Sequence, residues 1–380
     1  MTVIGAARES AEGERRAALV PAAVAVLVRD GFEVVVEAGL GGHCGYADAD
    51  YAEAGARIAA DADQVHRDAQ VVVAVAPPGD AAIARLGPAH TLVSFLDPLG
   101  DPARVRRIAD TGATALAFEF VPRITRAQSM DALSSQATIA GYHAVLMAAE
   151  RSPRLFPLLM TAAGTVKARS VLVLGAGVAG LQAIATARRL GAVVTAFDVR
   201  AAVREQVESL GARFLAVDVA GDEQAGGYAT ELDEEQHRRE QEALAAACAD
   251  ADVVICTAQI PGAPAPELVT EAAVRAMRPG SVIVDLAAST GGNCSCTVPG
   301  AEADVDGVFV LGPLNPASAM PATASDLYAA NVRALVKLLA PDGAFAPDWE
   351  DEILQGSVVA KDGAVASARV AERLAGEGAS

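Results

Sequence analysis

The sequence predicts an α/β protein built from two doubly wound domains joined by a long helix, and three observations carry that reading. Short runs of Val, Ile and Leu recur with helical stretches between them, the pattern of parallel strands covered on both faces. The alternation starts afresh in the middle third, so one architecture is used twice. A chain of 380 residues is too long for one core and about right for two. Both domains are therefore expected to be Rossmann-like.

In the first third, 34–36, 71–76, 91–96 and 113–118 read as buried strands, with helices at 22–29, 80–86 and 102–110. Gly31, Gly87 and Gly112 stand where helix ends need a left-handed residue. After a loop at 121–129, the stretch 130–150 has no proline and one glycine, and it reads as the bridging helix. Strands resume at 171–174, 193–197, 213–217, 253–258, 282–287 and 308–311. The polar stretch 220–242 begins glycine-rich, so a mobile loop followed by a solvated helix is expected there. One more apolar helix, 329–339, is expected to return to the first domain. The expected boundaries are 1–130 plus 320–380 for the first domain and 131–319 for the second.

Thirty basic residues against 48 acidic ones give a net charge of −18, which repels polyphosphate and excludes general nucleic-acid binding. No apolar run reaches the ~18 residues of a membrane-spanning helix. The first sixteen residues carry acids where a signal peptide needs bases. Five scattered cysteines suit reduced thiols in a cytoplasm. Cys294 and Cys296 form a lone C-x-C without a second ligand pair, so no metal is expected. A cytoplasmic protein without direct membrane insertion follows.

The strongest local signal is Gly175-Ala176-Gly177-Val178-Ala179-Gly180, a G-x-G-x-x-G directly after a strand and opening an apolar helix. Gly175 permits the tight turn, Gly177 lets backbone approach a pyrophosphate, and Gly180 lets helix and strand pack closely. The helix start, with Val178 and Ala179, turns its partial positive charge toward the phosphates. Asp198 ends the next strand, 18 residues past Gly180, where a carboxylate accepts bonds from an adenosine ribose. NAD(H) is therefore expected over NADP(H), with Val199 beside the ribose. Arg200 is the countersign, because an arginine can receive a 2′-phosphate.

Two longer stretches narrow the reading to a family. Residues 121–145, VPRITRAQSMDALSSQATIAGYHAV, and 175–214 resemble the NAD-binding alpha subunit of proton-translocating NAD(P) transhydrogenases, as do 225–229, 257–270 and 280–294. The resemblance covers roughly residues 1–335. It implies a homodimer of two-domain chains with NAD(H) bound in the cleft between the domains. It also implies NADP(H) on a partner subunit, and peripheral attachment to the inner membrane through membrane-spanning subunits that couple transfer to proton translocation. Matched one at a time, the family's nicotinamide-site arginine, glutamine, aspartate and serine fall on Arg123, Gln128, Asp131 and Ser134. Gln128 offers a donor and an acceptor to a carboxamide or ribose, and Arg123 a fixed charge for a pyrophosphate. Asp131 and Ser134 can hold the loop and cap the following helix. Tyr228 matches a mobile-loop tyrosine, and Thr257 and Ala258 fall among the cofactor-binding positions. Residues 311–328 lack an arginine often seen in this family's later loop.

Residues 4–21 resemble alanine dehydrogenases as well. Oxidising an amine moves protons and calls for a lysine and a histidine near the reacting carbon. In those enzymes they lie on strands matching 71–76 and 93–97. Here 71–99 contains no lysine, and its one histidine, His90, precedes its strand. Hydride exchange between two nicotinamides moves no heteroatom proton, so a site of Gln, Arg, Ser and backbone suffices. A non-catalytic NAD-binding regulator would have no use for the RITRAQSMD loop.

Overall fold

The computed structural model describes residues 1–217 and 234–377, and the chain divides into two compact units. Unit 1 takes Met1–Gln136 and Ala317–Ser380, and unit 2 takes Ala137–Pro316. The boundary falls inside the helix Ala132–Arg151.

Unit 1 contains β1 (Val3–Ala6), β2 (Glu33–Glu37), β3 (Arg57–Ala59), β4 (Val71–Val73), β5 (Thr91–Ser94) and β6 (Thr114–Ala117). They form a parallel sheet in the order β3-β2-β1-β4-β5-β6, the doubly wound order, in which the order of winding reverses between β1 and β4. Two tail strands, Val358–Lys361 and Ala364–Val365, extend the β6 edge antiparallel. Strand side chains alternate between two cores: Val34, Val36, Val71 and Val73 enter one, Val35 and Val72 the other. Burial on both faces is why these strands read as unbroken apolar runs. The helix Pro321–Leu339 closes one face with Tyr328, Val332, Leu335, Val336 and Leu339, a fully buried stripe at helical spacing.

Unit 2 opens with a hairpin, β7 (Leu159–Thr161) and β8 (Gly164–Val166). Its sheet uses β9 (Ser170–Leu174), β10 (Val193–Phe197), β11 (Arg213–Phe214), β12 (Val253–Cys256), β13 (Val282–Asp285), β14 (Glu302–Val305) and β15 (Val308–Leu311). The order is β11-β10-β9-β12-β13-β15-β14, parallel except for β14. Two Rossmann-like sheets are thus present, as the alternating pattern requires.

Several details differ from the sequence reading. β1 (Val-Ile-Gly-Ala) and β3 (Arg-Ile-Ala) hold too few large apolar side chains to stand out as apolar runs. The run 71–76 stops as a strand at Val73, because the Val75 and Ala76 amides turn to the carboxylate of Glu9. Gly31 and Gly112 are left-handed, at φ +90° and +81°, but Gly87 is not: its helix ends at Ala84 in right-handed geometry. The bridging helix starts at Ala132, because Thr125–Met130 winds as a tighter 3-10 segment. The tail helix begins at Pro321, eight residues before 329, with proline in its first turn, where the missing N–H costs nothing. Two further helices, Glu352–Ser357 and Ala368–Glu377, flank the tail strands. In the polar stretch, Glu234–Asp250 is helical. Tyr228 and the glycine-rich part around it lie outside the described residues.

No helix among the described residues is long and apolar enough to cross a membrane. Among the same residues no group of three or more His, Cys, Asp or Glu side chains is placed to hold a metal. All five cysteines are free, and burial pushes the Cys248 and Cys294 thiols up to about 12, so both are inert packing groups.

Candidate functional site

In unit 2 the chain leaves β9 and turns sharply at Gly175 into the helix Val178–Arg189. Gly175 has φ +93°, and a Cβ there would lie 2.6 Å from the Thr257 hydroxyl, so only glycine fits on both counts. A Cβ on Gly180 would overlap the Gly175 carbonyl, since helix and strand touch there. A Cβ on Gly177 would meet nothing within 4 Å. Gly177 and Val178 are exposed, Ala179 is half-buried, and no side chain caps the helix start. The turn therefore presents open backbone and uncapped amides at a helix N-terminus, an arrangement that favours an anion. Gly141 packs against Ala179 so closely that a Cβ there would overlap the Ala179 carbonyl, and this steadies the turn from behind.

Asp198 ends β10 beside the turn. Its Oδ2 accepts from the Ala176 amide at 2.7 Å and from Arg200 Nη2 at 3.0 Å. Its Oδ1 accepts from the Arg200 amide at 2.9 Å and from Arg200 Nε at 3.0 Å. Each oxygen already carries two donors, so a ribose could bond here only by displacing the guanidinium. Arg200 thus acts as the counter-ion of Asp198. Val199 packs beside it against the core on that side of the sheet.

Thr257 and Ala258 follow β12 and shape the turn rather than projecting from it. The Thr257 hydroxyl donates to the Leu174 and Gly175 carbonyls, at 3.1 and 2.9 Å. Ala258 is clamped by Asn293, which accepts from its amide at 3.0 Å and donates to its carbonyl at 2.8 Å. The fully buried Asp285 accepts from the Ala287 and Cys294 amides and the Thr297 hydroxyl, fixing the next loop. Neither Asn293 nor Asp285 stands out in the sequence: each acts on backbone brought near only by folding.

Arg123, Gln128, Asp131 and Ser134 belong to unit 1. Arg123 and Gln128 are exposed, Gln128 within the 3-10 segment. Asp131 accepts from the Ser134 amide at 2.8 Å and from its hydroxyl at 2.6 Å, so these two cap the long helix. The loop is pinned by residues that the sequence does not single out. Asn331 donates to the Ser129 carbonyl at 2.9 Å and accepts from the Ser135 hydroxyl at 2.7 Å. Arg126 pairs with Asp351 at 2.6 Å.

The carboxyl ends of the unit 1 strands hold a second polar cluster. Glu9 accepts from the Val75 and Ala76 amides at 2.6 and 3.1 Å. Glu119 accepts from the Leu96 and Asp97 amides at 2.9 and 2.7 Å. Burial raises both carboxyls to about 7 against the opposing pull of those amides. Tyr328 donates to the Ala74 carbonyl at 2.6 Å. The buried Arg16 is held by Glu14, Nε to Oε1 at 2.8 Å and Nη2 to Oε2 at 2.6 Å, and by Gln136 at 2.9 Å.

His90 sits at the amino end of β5. Its Nδ1 accepts from the Gly87 amide at 2.9 Å, so Nε2 carries the proton, bonded to the His66 carbonyl at 2.8 Å. Neither nitrogen is available for proton transfer.

The two units also match known proteins. Residues 5–140 match the family model "Alanine dehydrogenase/PNT, N-terminal domain", and 144–368 match its C-terminal counterpart. The chain is 45% identical to an NAD(P) transhydrogenase alpha-subunit chain of Rhodospirillum rubrum, over 98% of each chain. It is 33% identical to alanine dehydrogenase of Mycobacterium tuberculosis, over 76% of this chain and 73% of that one. Among solved structures, the Sinorhizobium meliloti transhydrogenase superposes with a TM-score of 0.87 at 43% identity, covering 96% of this chain and 99% of that one. An L-alanine dehydrogenase superposes at 0.84 with 27% identity, covering 99% of each chain. The chain therefore belongs to the alanine dehydrogenase/PNT family, which joins the alanine dehydrogenases to the alpha subunits of NAD(P) transhydrogenases.

Proposed function

We propose that this chain is the NAD(H)-binding alpha subunit of a proton-translocating NAD(P) transhydrogenase, exchanging hydride with NADP(H) held on a partner subunit. The observation that carries the reading is the open glycine turn of unit 2, with an uncapped helix start and a carboxylate at the end of β10. NADH would supply a hydride from its nicotinamide. The chain's own contribution is positional. Amides at the start of Val178–Arg189 hold the pyrophosphate, Asp198 accepts the ribose hydroxyls once Arg200 swings aside, and Gln128 and Arg123 orient the nicotinamide end. Transfer needs the reacting carbons ~3–3.5 Å apart in a water-free setting, which positioning groups alone can provide.

Alanine dehydrogenase chemistry is the competing reading, and the placement of basic groups speaks against it. The three lysines are Lys167, Lys337 and Lys361. Lys337 pairs with Asp30 and Lys361 with Asp362. Lys167 follows the unit 2 hairpin, and His90 is locked at the wrong strand end. A homodimer is supported by that hairpin, whose Leu158, Leu159, Met160 and Val166 are 58%, 40%, 72% and 38% exposed. So large an apolar patch on an acidic chain calls for a covering surface. Cytoplasmic placement, with attachment to a membrane only through partner subunits, completes the proposal.

The test is binding and turnover on the purified chain. NADH should bind more tightly than NADPH by calorimetry, and L-alanine with NAD+ should yield no NADH. Alanine-driven NADH formation would replace this reading with the amino-acid enzyme.

A further inference from the structure

At the amino ends of β4, β5 and β6, unit 1 has a solvent-open cavity of about 430 Å³. It is lined by Gln70, His90, Thr91 and Thr114, which start or precede these strands, and by Phe345 and Trp349 of the tail. The strand starts lie side by side: the Thr91 amide donates to the Gln70 carbonyl at 2.8 Å, and the Thr114 amide to the His90 carbonyl at 3.0 Å. The size falls within the ~300–1,000 Å³ range of small-molecule pockets, and the lining pairs aromatic surface with a few converging polar groups.

The lining is close to neutral. His90 turns both ring nitrogens to backbone partners. Asp68, also on the lining, is paired with Arg57 at 2.7 Å. Thr91 is only 3% exposed overall and stands on the cavity wall beside Thr114. Threonine hydroxyls and a glutamine amide on such a wall can each donate or accept a hydrogen bond. The indole of Trp349 lies 5.3 Å from the Lys361 ammonium, an arrangement that holds the ring in place.

We propose that this cavity binds a flat, uncharged heteroaromatic ring of nucleobase size, with Phe345 and Trp349 giving stacking surface and Thr91, Thr114 and Gln70 giving directional hydrogen bonds. Stacking on aromatic side chains tolerates any base, and the hydroxyls and amide give edge contacts without demanding a charge. This site is separate from the glycine turn of unit 2 and does not depend on the function proposed for it.

Trp349 is the only tryptophan, so all tryptophan emission arises at this cavity. Adenosine is the probe, titrated into the wild-type chain, the Thr91→Val/Thr114→Val double variant and Asp198→Asn, each checked by circular dichroism. The expected result is saturable quenching in the wild type, unchanged in Asp198→Asn and about tenfold weaker in the double variant, the size expected for two lost hydrogen bonds. If the double variant misfolds, Thr114→Val alone should weaken quenching about threefold. No saturable quenching, or quenching that the threonine variants leave unchanged, would overturn the proposal. So would quenching weakened by Asp198→Asn, which would place adenosine at the glycine turn.

Discussion

Units 1 and 2 share a strand order, β3-β2-β1-β4-β5-β6 in one and β11-β10-β9-β12-β13-β15 in the other, yet the carboxyl ends of their strands are furnished differently. In unit 2 the first strand, β9, runs into a glycine turn and an uncapped helix, so backbone donors face open space. In unit 1 the corresponding strand, β1, runs into Arg8-Glu9-Ser10, and Glu9 and Glu119 fill the amides after β4 and β5. Glu14 likewise takes the charge of Arg16. One unit leaves its donors open, while the other satisfies its own. Topology supplies the crevice, and a few residues at its rim decide whether it is free.

The largest expected effect separates two glycines of the same turn. Gly180→Val drives a side chain into the Gly175 carbonyl and should destabilise unit 2 by more than ~3 kcal/mol, abolishing NADH binding. Gly177→Ala meets open space, so the melting temperature should hold while NADH affinity falls about tenfold, since the added methyl obstructs the pyrophosphate. Differential scanning calorimetry and NADH titration read both, and equal melting temperatures for the two variants would erase the contrast. Next in size is Gln128→Asn, where displacement of ~1 Å can cost about 100-fold in rate. Stopped-flow transfer should slow while NADH affinity barely moves, and an unchanged rate would make the 3-10 segment purely structural.

Asp198→Asn removes the ribose acceptor and frees Arg200. The preference for NADH over NADPH should narrow about tenfold, equal to ~1.4 kcal/mol. A preference that survives intact would move the discrimination elsewhere.

The smallest effect lies in unit 1. Glu9 and Glu119 have carboxyls raised to about 7 in the folded chain, against about 4.3 for a free glutamate. The folded state therefore binds protons that the unfolded state has released. Their stabilisation is full below about pH 4.3 and is lost as pH rises through 7. Glu119→Gln mimics the protonated form, so the stability of the variant, read from urea midpoints, should fall less steeply than the wild type's between pH 5 and 8. Parallel pH profiles for variant and wild type would show that Glu119 stays ionised.

What can be read from the sequence is whatever depends on local backbone. Gly175 and Gly180 are legible because their demands, a left-handed φ and a close helix–strand contact, are met within six residues. Asp198 is legible because strand length fixes its distance from the turn. The Arg200 clamp on it is not, since the same two residues equally suit a free carboxylate beside a phosphate-binding arginine. Asn331 is hidden for a different reason: it holds Ser129 from 202 positions away, across a contact that exists only after folding. Glu9 looks in sequence like any acid in a polar loop, and only the geometry reveals two amides beneath it. The tail strands escape because Val358–Lys361 and Ala364–Val365 are short and antiparallel, outside the repeating strand–helix rhythm.

If this chain carries the NAD(H) half of a two-nicotinamide reaction, its chemistry needs a second subunit. The decisive assay is hydride transfer from NADH to an NADP analogue, run on the isolated chain and on the chain mixed with a separate NADP(H)-binding transhydrogenase domain, without membranes. No transfer is expected from the isolated chain and rapid transfer from the mixture, with proton coupling only when membrane-spanning subunits are added. Strong transfer by the isolated chain, or none from the mixture, would contradict the proposed role.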